Sequence, residues 1–211
     1  MLAHPLAPQF IAGKLYRLFV ADEPSPSAEL LAPLAASLIQ NQWELQPTVR
    51  MILESRLLLS DETFGRKIRS PVDLAIGLLR TFEGSANSTL LGEDLGRMGM
   101  ALFFPPNVKG WDGGRTWINA STLLARANGI GRLLRDDKTR FDRRLPGEYL
   151  TQRASDPERL LQMFETELLA MPLNAATRGR LLEVGGAERD AARRAVTLLH
   201  ATAAQAIAQL A

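Results

Sequence analysis

The stretch Ser70-Pro71-Val72-Asp73-Leu74-Ala75-Ile76-Gly77-Leu78-Leu79-Arg80-Thr81-Phe82 reads as one helix with its start written in. Ser70 is a favoured N-cap residue, and Pro71 suits the first helical position because its missing N–H would be unpaired there anyway. Asp73, at N3, can return a bond to the cap backbone. Leu74, Ile76, Leu78 and Leu79 then carry an apolar helix to about Phe82.

Working outward, the same period recurs on both sides. Toward the N-terminus, Ile11, Leu15 and Leu18 mark one face of a helix from Pro5 to Val20, with Lys14 and Arg17 pointing elsewhere. Pro24 and Pro26 separate it from a second helix that reaches Gln40 and that Pro33 is expected to kink. A third helix starts at Pro47, with Val49, Ile52, Leu53 and Leu57 on its apolar side. Toward the C-terminus, Leu91, Leu95, Met98 and Leu102 form a seam. Gly92, Gly96 and Gly99 recur on another face and suggest a close helix approach there.

A sixth helix covers Ser121 to Leu134. Ser155-Asp156-Pro157-Glu158 reads as a second capping box, opening a helix through Leu160, Leu161, Phe164 and Leu168. Asn174 begins a short helix that Gly185-Gly186 ends, and a last helix from Ala187 to Gln209 carries Val196, Leu199, Ala203 and Leu210 on one stripe. No alternating strand pattern appears. The expected fold is all-α, a single domain over residues 1–211 of about eight or nine helices. The polar stretch from Arg135 to Ser155 is the expected linker or surface excursion.

Composition narrows the chemistry. At 211 residues, with 46% hydrophobic and 23% charged, the chain is ordinary for a globular domain. Cysteine is absent, which excludes disulfides, thiolate metal sites and a cysteine nucleophile. Two histidines, His4 and His200, exclude a histidine-rich metal centre, so neither a metal nor another cofactor is expected. Net charge is +2, too small a field to argue for nucleic acid. The basic run from Arg132 to Arg144 is interleaved with acids and lacks stacking aromatics, so it reads as solvated surface or an internal salt-bridge web. The adjacent pairs Glu93-Asp94 and Asp136-Asp137 read as solvated faces. No run of about 18 apolar residues exists to span a membrane, and the first residues show no signal-peptide pattern. No nucleophile elbow, phosphate loop or metal-helix motif is present.

One stretch breaks the helical pattern: Phe104 to Ala120, FPPNVKGWDGGRTWINA. Pro105-Pro106 cannot be helix interior, and Asp112-Gly113 is a tight-turn signal that allows a short β-ribbon. Trp111 and Trp117, two of the three tryptophans, flank the turn. Lys109, one of four lysines, sits beside them with Asn107, Asp112, Arg115 and Asn119. Two readings stand together. In one, the tryptophans dock into the helices, and Asn119, Ser121 or Thr122 caps the next one. In the other, the loop is a binding lip, with Trp faces for flat apolar surfaces and Asn, Asp and Arg for hydroxyls or carboxylates. The loop is expected to be ordered and to wall the most concave part of the domain.

The segment Pro105 to Arg126, PPNVKGWDGGRTWINASTLLAR, resembles the signature of the bacterial DUF1800 family. His4 to Val20 is similar to that family's His-Pro helix, and Lys67 to Phe82 resembles its K-x-x-S-P helix start. Pro172 to Leu182 and the last helix resemble its tail. Matching positions include His4, Pro5, Lys14, Tyr16, Ser70, Pro71, Pro105, Pro106, Asn107, Lys109, Gly110, Trp111, Trp117, Asn119, Ser121 and Arg126. The resemblance implies the C-terminal half of a longer, exported bacterial protein, periplasmic or extracellular. It implies as partners the rest of the same chain or a co-encoded exported protein, and it brings no catalytic residues. The expected function is a helical binding or scaffold module contacting a protein or glycan. The alternative is one wall of an enzyme site completed by an N-terminal half. Candidate ligand-binding residues are Asn107, Lys109, Trp111, Asp112, Arg115, Trp117, Asn119 and Arg126, with His4 and Lys14 as further contributors.

Overall fold

The computed structural model describes residues 4–61 and 63–210. It is all-α, with ten α-helices among the described residues and one antiparallel ribbon of two-residue strands. The chain divides into two compact units, Met1–Lys67 and Ile68–Ala211.

The first unit holds α1 (Ala7–Phe19), α2 (Ala28–Gln40) and α3 (Leu45–Leu53). The buried stripe of α1 is Pro8, Ala12, Leu15 and Tyr16, so the expected face is rotated and Leu18 stands in solvent. Ala12 can be enclosed completely because its side chain lets α2 approach; Leu31, Leu34 and Leu38 pack there with Ile52 of α3. Ser27 caps α2, accepting from the Leu30 N–H, and Pro33 lies within that helix. The buried hydroxyls of Ser37 and Thr48 satisfy one another at 2.9 Å, which removes the cost of placing them between helices.

The second unit holds α4 (Pro71–Thr81), β1 (Gly84–Ser85), α5 (Ser88–Arg97), α6 (Ala120–Arg135), β2 (Arg140–Phe141), α7 (Pro146–Arg153), α8 (Pro157–Leu168), α9 (Ala175–Gly186) and α10 (Ala191–Ala203). The helix start at Ser70 is as read: its hydroxyl accepts from the Asp73 N–H, and Asp73 accepts from the Ser70 N–H, both at 3.1 Å. Asp156 caps α8 and Asn174 caps α9. Helix α10 is the central element, packing on α6, α7, α8 and α9 through Ala195, Leu198, Leu199 and Ala203.

Residues 135–155, expected as a linker or excursion, instead supply β2, α7 and two fully buried side chains, Phe141 and Leu150. Phe141 stacks on Phe82 with ring centroids 5.0 Å apart, and Phe164 meets the same ring edge-on. The ribbon therefore forms between β1 and β2, not around Asp112-Gly113, because Phe141 needs that strand to reach the core. The Gly92-Gly96-Gly99 face makes no close helix approach: a Cβ on Gly92 would meet nothing within 4 Å. Close contacts fall at Gly84, Gly129, Gly131, Gly147 and Gly185; a Cβ on Gly147 would lie 2.7 Å from the Ala192 carbonyl oxygen of α10.

Candidate functional site

The segment between α5 and α6 is held at its root. Trp117 is 7% exposed. Its ring lies beside Gly113 and Gly99, whose missing side chains leave room for it. Gly113 and Gly114 have φ of 74° and 56°, values that side-chain-bearing residues adopt at a cost, and they turn the chain into a 3-10 turn over Gly114–Trp117. The Thr122 hydroxyl donates to the Trp117 carbonyl oxygen at 3.0 Å. This ties the turn to the first turn of α6.

Both asparagines serve the backbone. Asn107 Oδ1 accepts from the Lys109 N–H at 2.8 Å, an Asx turn. Asn119 is the N-cap of α6, accepting from the Thr122 N–H at 3.0 Å while Thr122 Oγ1 accepts from the Asn119 N–H. Lys109, Asp112 and Arg115 are exposed, and Trp111 is half-buried. These seven candidates therefore lie together on one loop. Cavities lie between α5 and α6, beside the end of α8, and among α1, α2 and α3. Trp117 occupies the space beside Gly113 and Gly99.

The exposed feature of the loop is apolar and straddles the start of the stretch that sequence reading favoured. Phe103 is 92% exposed, Phe104 is 79% exposed, and Val108 stands fully in solvent. Phe103 has φ of 66°, a conformation that a bulky residue adopts only at a cost. The Phe-Phe pair ahead of two prolines is the signal that could have marked it.

Arg126 is separate from the loop surface. It lies two turns into α6 and is 1% exposed. Its Nη1 donates to Gln209 Oε1 at 3.0 Å and its Nη2 to the Arg69 carbonyl oxygen at 2.8 Å, while its Nε has no partner. The Arg69 N–H in turn donates to the Gln209 carbonyl oxygen at 2.8 Å, and Arg69 Nη2 reaches the Leu168 carbonyl at the end of α8. Burial brings the Arg126 guanidinium down to about 10, partly offset by the charge of Asp73; Arg69 is lowered for the same reasons. The pair clamps the C-terminal turn against the start of α4. No position in the sequence near Arg126 signals a partner 83 residues away.

His4 and Lys14 belong to the first unit. His4 Nδ1 accepts from the Leu6 N–H at 3.2 Å, and Lys14 Nζ lies 5.0 Å from the Phe10 ring centroid. His200 of α10 bonds through Nε2 to the Ala127 carbonyl at 2.8 Å. Among the described residues, no three His, Asp or Glu side chains are grouped to hold a metal, and no helix is long and apolar enough to cross a membrane.

A family model described as a protein of unknown function, DUF1800, matches residues 1–209. The chain belongs to the DUF1800 family. No curated protein and no solved structure matches it. The DUF1800 match takes in both units, so the exposed loop and the buried Arg126 clamp both fall inside the family's span.

Proposed function

We propose that this DUF1800 protein is a binding module and that the loop over residues 101–119 contacts a partner protein. The observation that carries this reading is the pairing of a fixed root with an apolar tip. Trp117 anchors the loop while Phe103, Phe104 and Val108 face water. Apolar side chains held out in this way raise the free energy of the isolated protein and are recovered when a second surface covers them. A protein surface is favoured over a glycan because Trp117 is turned inward and both asparagines are engaged by the backbone. Three such side chains offer on the order of 400 Å². That is about half of what one partner contributes to a stable interface, so the loop acts as the anchor of a larger or transient contact.

Photo-crosslinking in the organism that encodes the protein tests this. A photoreactive residue replacing Phe104 is expected to give a discrete adduct that Phe103→Ser abolishes. The same residue replacing Leu59, an exposed apolar position of the first unit, is expected to give none. Equal adducts at both positions, or no adduct at 104, would overturn the reading.

A further inference from the structure

The first unit encloses a cavity of about 200 Å³ among α1, α2 and α3. Its floor is closed, since Tyr16, Val20, Leu34 and Ile52 are each at most 8% exposed. Leu30 and Met51 border it too, and at 39% and 43% exposed they mark the side that opens to water. The lining comes from about one turn of each helix, about 5–6 Å along the axis. The space is therefore compact and not a channel.

Among the described residues, no charged side chain lines this cavity. The polar side-chain atoms of its lining residues are two hydroxyls, the Met51 thioether being only a weak acceptor. One, Ser55 Oγ, is spent on its own turn: it donates to the Ile52 carbonyl at 2.7 Å and accepts from the Leu58 N–H at 3.3 Å. That leaves the Tyr16 hydroxyl, whereas an ordered water in a cavity needs about two to four polar partners. Water is thus poorly held here. The walls also resist collapse. Val20 and Ile52 are β-branched and stiff, and the Pro33 ring has no chain to swing inward. Met51, by contrast, is flexible and can fold over whatever enters. An apolar cavity of on the order of 150 Å³ is already enough for benzene.

We propose that this cavity binds an uncharged hydrocarbon ring of about benzene size, either free or as the apolar end of a larger molecule. The volume sets the size, the single-turn depth favours a ring over an extended chain, and the spent hydroxyl disfavours a polar one. The site lies wholly in the first unit and does not depend on the role of the loop over residues 101–119.

The test is a nuclear magnetic resonance titration of the full chain with benzene, followed through the methyl groups of Val20, Leu34 and Ile52. Pyrazine is the control: it has the same shape but carries a nitrogen at each end, so one must enter the cavity without a donor. Benzene is expected to give saturable shifts confined to these methyls, and pyrazine none. Met51→Asp sets a charge beside the opening on a side chain too short to swing clear, and is expected to weaken benzene binding about tenfold. Leu53→Asp, on the same helix but outside the lining, is expected to leave it unchanged. Val20→Leu extends the wall into the cavity, is expected to weaken binding severalfold, and keeps the idea testable if Met51→Asp does not fold. Absence of saturable benzene shifts, equal shifts with pyrazine, or unchanged affinity in a folded Met51→Asp or Val20→Leu variant would overturn the proposal.

Discussion

Arg126 and Gln209 should fail differently when each is removed. In Arg126→Met, a side chain of similar reach replaces the guanidinium and leaves two buried acceptors, Gln209 Oε1 and the Arg69 carbonyl, without donors. Each costs about 1–3 kcal/mol. Against this stands the relief of a buried charge. The drop of Arg126 to about 10 corresponds to roughly 3 kcal/mol, at 1.36 kcal/mol per pH unit. The net change therefore lies between about 1 kcal/mol of gain and about 3 kcal/mol of loss. In Gln209→Leu, the charge stays buried and keeps a single acceptor, which costs at least the about 1–3 kcal/mol of an unsatisfied buried donor, and more because that donor is charged.

Urea unfolding at pH 7 should thus rank Gln209→Leu as the more damaging change, and the double variant should cost less than the sum because the two groups share one bond. The pH dependence runs in opposite directions. The lowered guanidinium loses its proton in the folded state before the unfolded chain does. Above about pH 10 the unfolded state therefore binds more protons, and wild-type stability rises with pH. The deficit of Arg126→Met should widen there and that of Gln209→Leu should narrow. Arg126→Met proving the costlier change at pH 7 would refute the view that the buried charge, rather than its bonds, dominates the clamp.

Trp117→Ala should cost about 3–5 kcal/mol, as for large-to-small changes at buried positions. The half-buried Trp111→Ala should cost clearly less and the exposed Lys109→Ala within about 0.5 kcal/mol; thermal and urea unfolding compare the three. Gly147→Ala should destabilise by about 1–3 kcal/mol, since the new methyl meets the Ala192 backbone and cannot push it aside cheaply. Gly92→Ala should stabilise by about 0.5–1 kcal/mol, because that helical position is open and alanine restricts the unfolded chain. Calorimetry showing the two glycine changes with the same sign would contradict the packing described.

What the sequence made legible is what is local. The Ser70–Asp73 box and the Asn119–Thr122 cap each join residues three positions apart, so the side chain and its backbone partner are fixed by the same helical turn. The helical period likewise survives translation into structure at Leu74, Leu78 and Leu95, all buried. Direction is harder to read. Leu15 and Leu18 are equally apolar, yet only Leu15 faces α2, because the small Ala12 sets where the helices touch. Glycines misled for a related reason: a recurrent spacing shows that they share a face, not that a neighbour lies over it, and close approaches occur instead at glycines such as Gly131, Gly147 and Gly185.

Charge was the least legible. Asp94 sits next to Glu93 in a polar run, and only Arg132, 38 residues on, turns it from a solvated acid into the centre of a buried cluster. The same logic separates the two features of the loop. Trp117 could be read as an anchor because tryptophan rewards burial wherever space exists. Phe103 and Phe104 would ordinarily be assigned inward by the same reasoning. Their exposure follows from the positive φ of Phe103 and the two prolines that follow, which commit the backbone before the rings can turn back. A backbone cost and exposed rings at one point are both losses for the isolated fold. Their coincidence on an otherwise well-anchored loop is what makes this surface, and not the buried Arg126 clamp, the place to look for a partner.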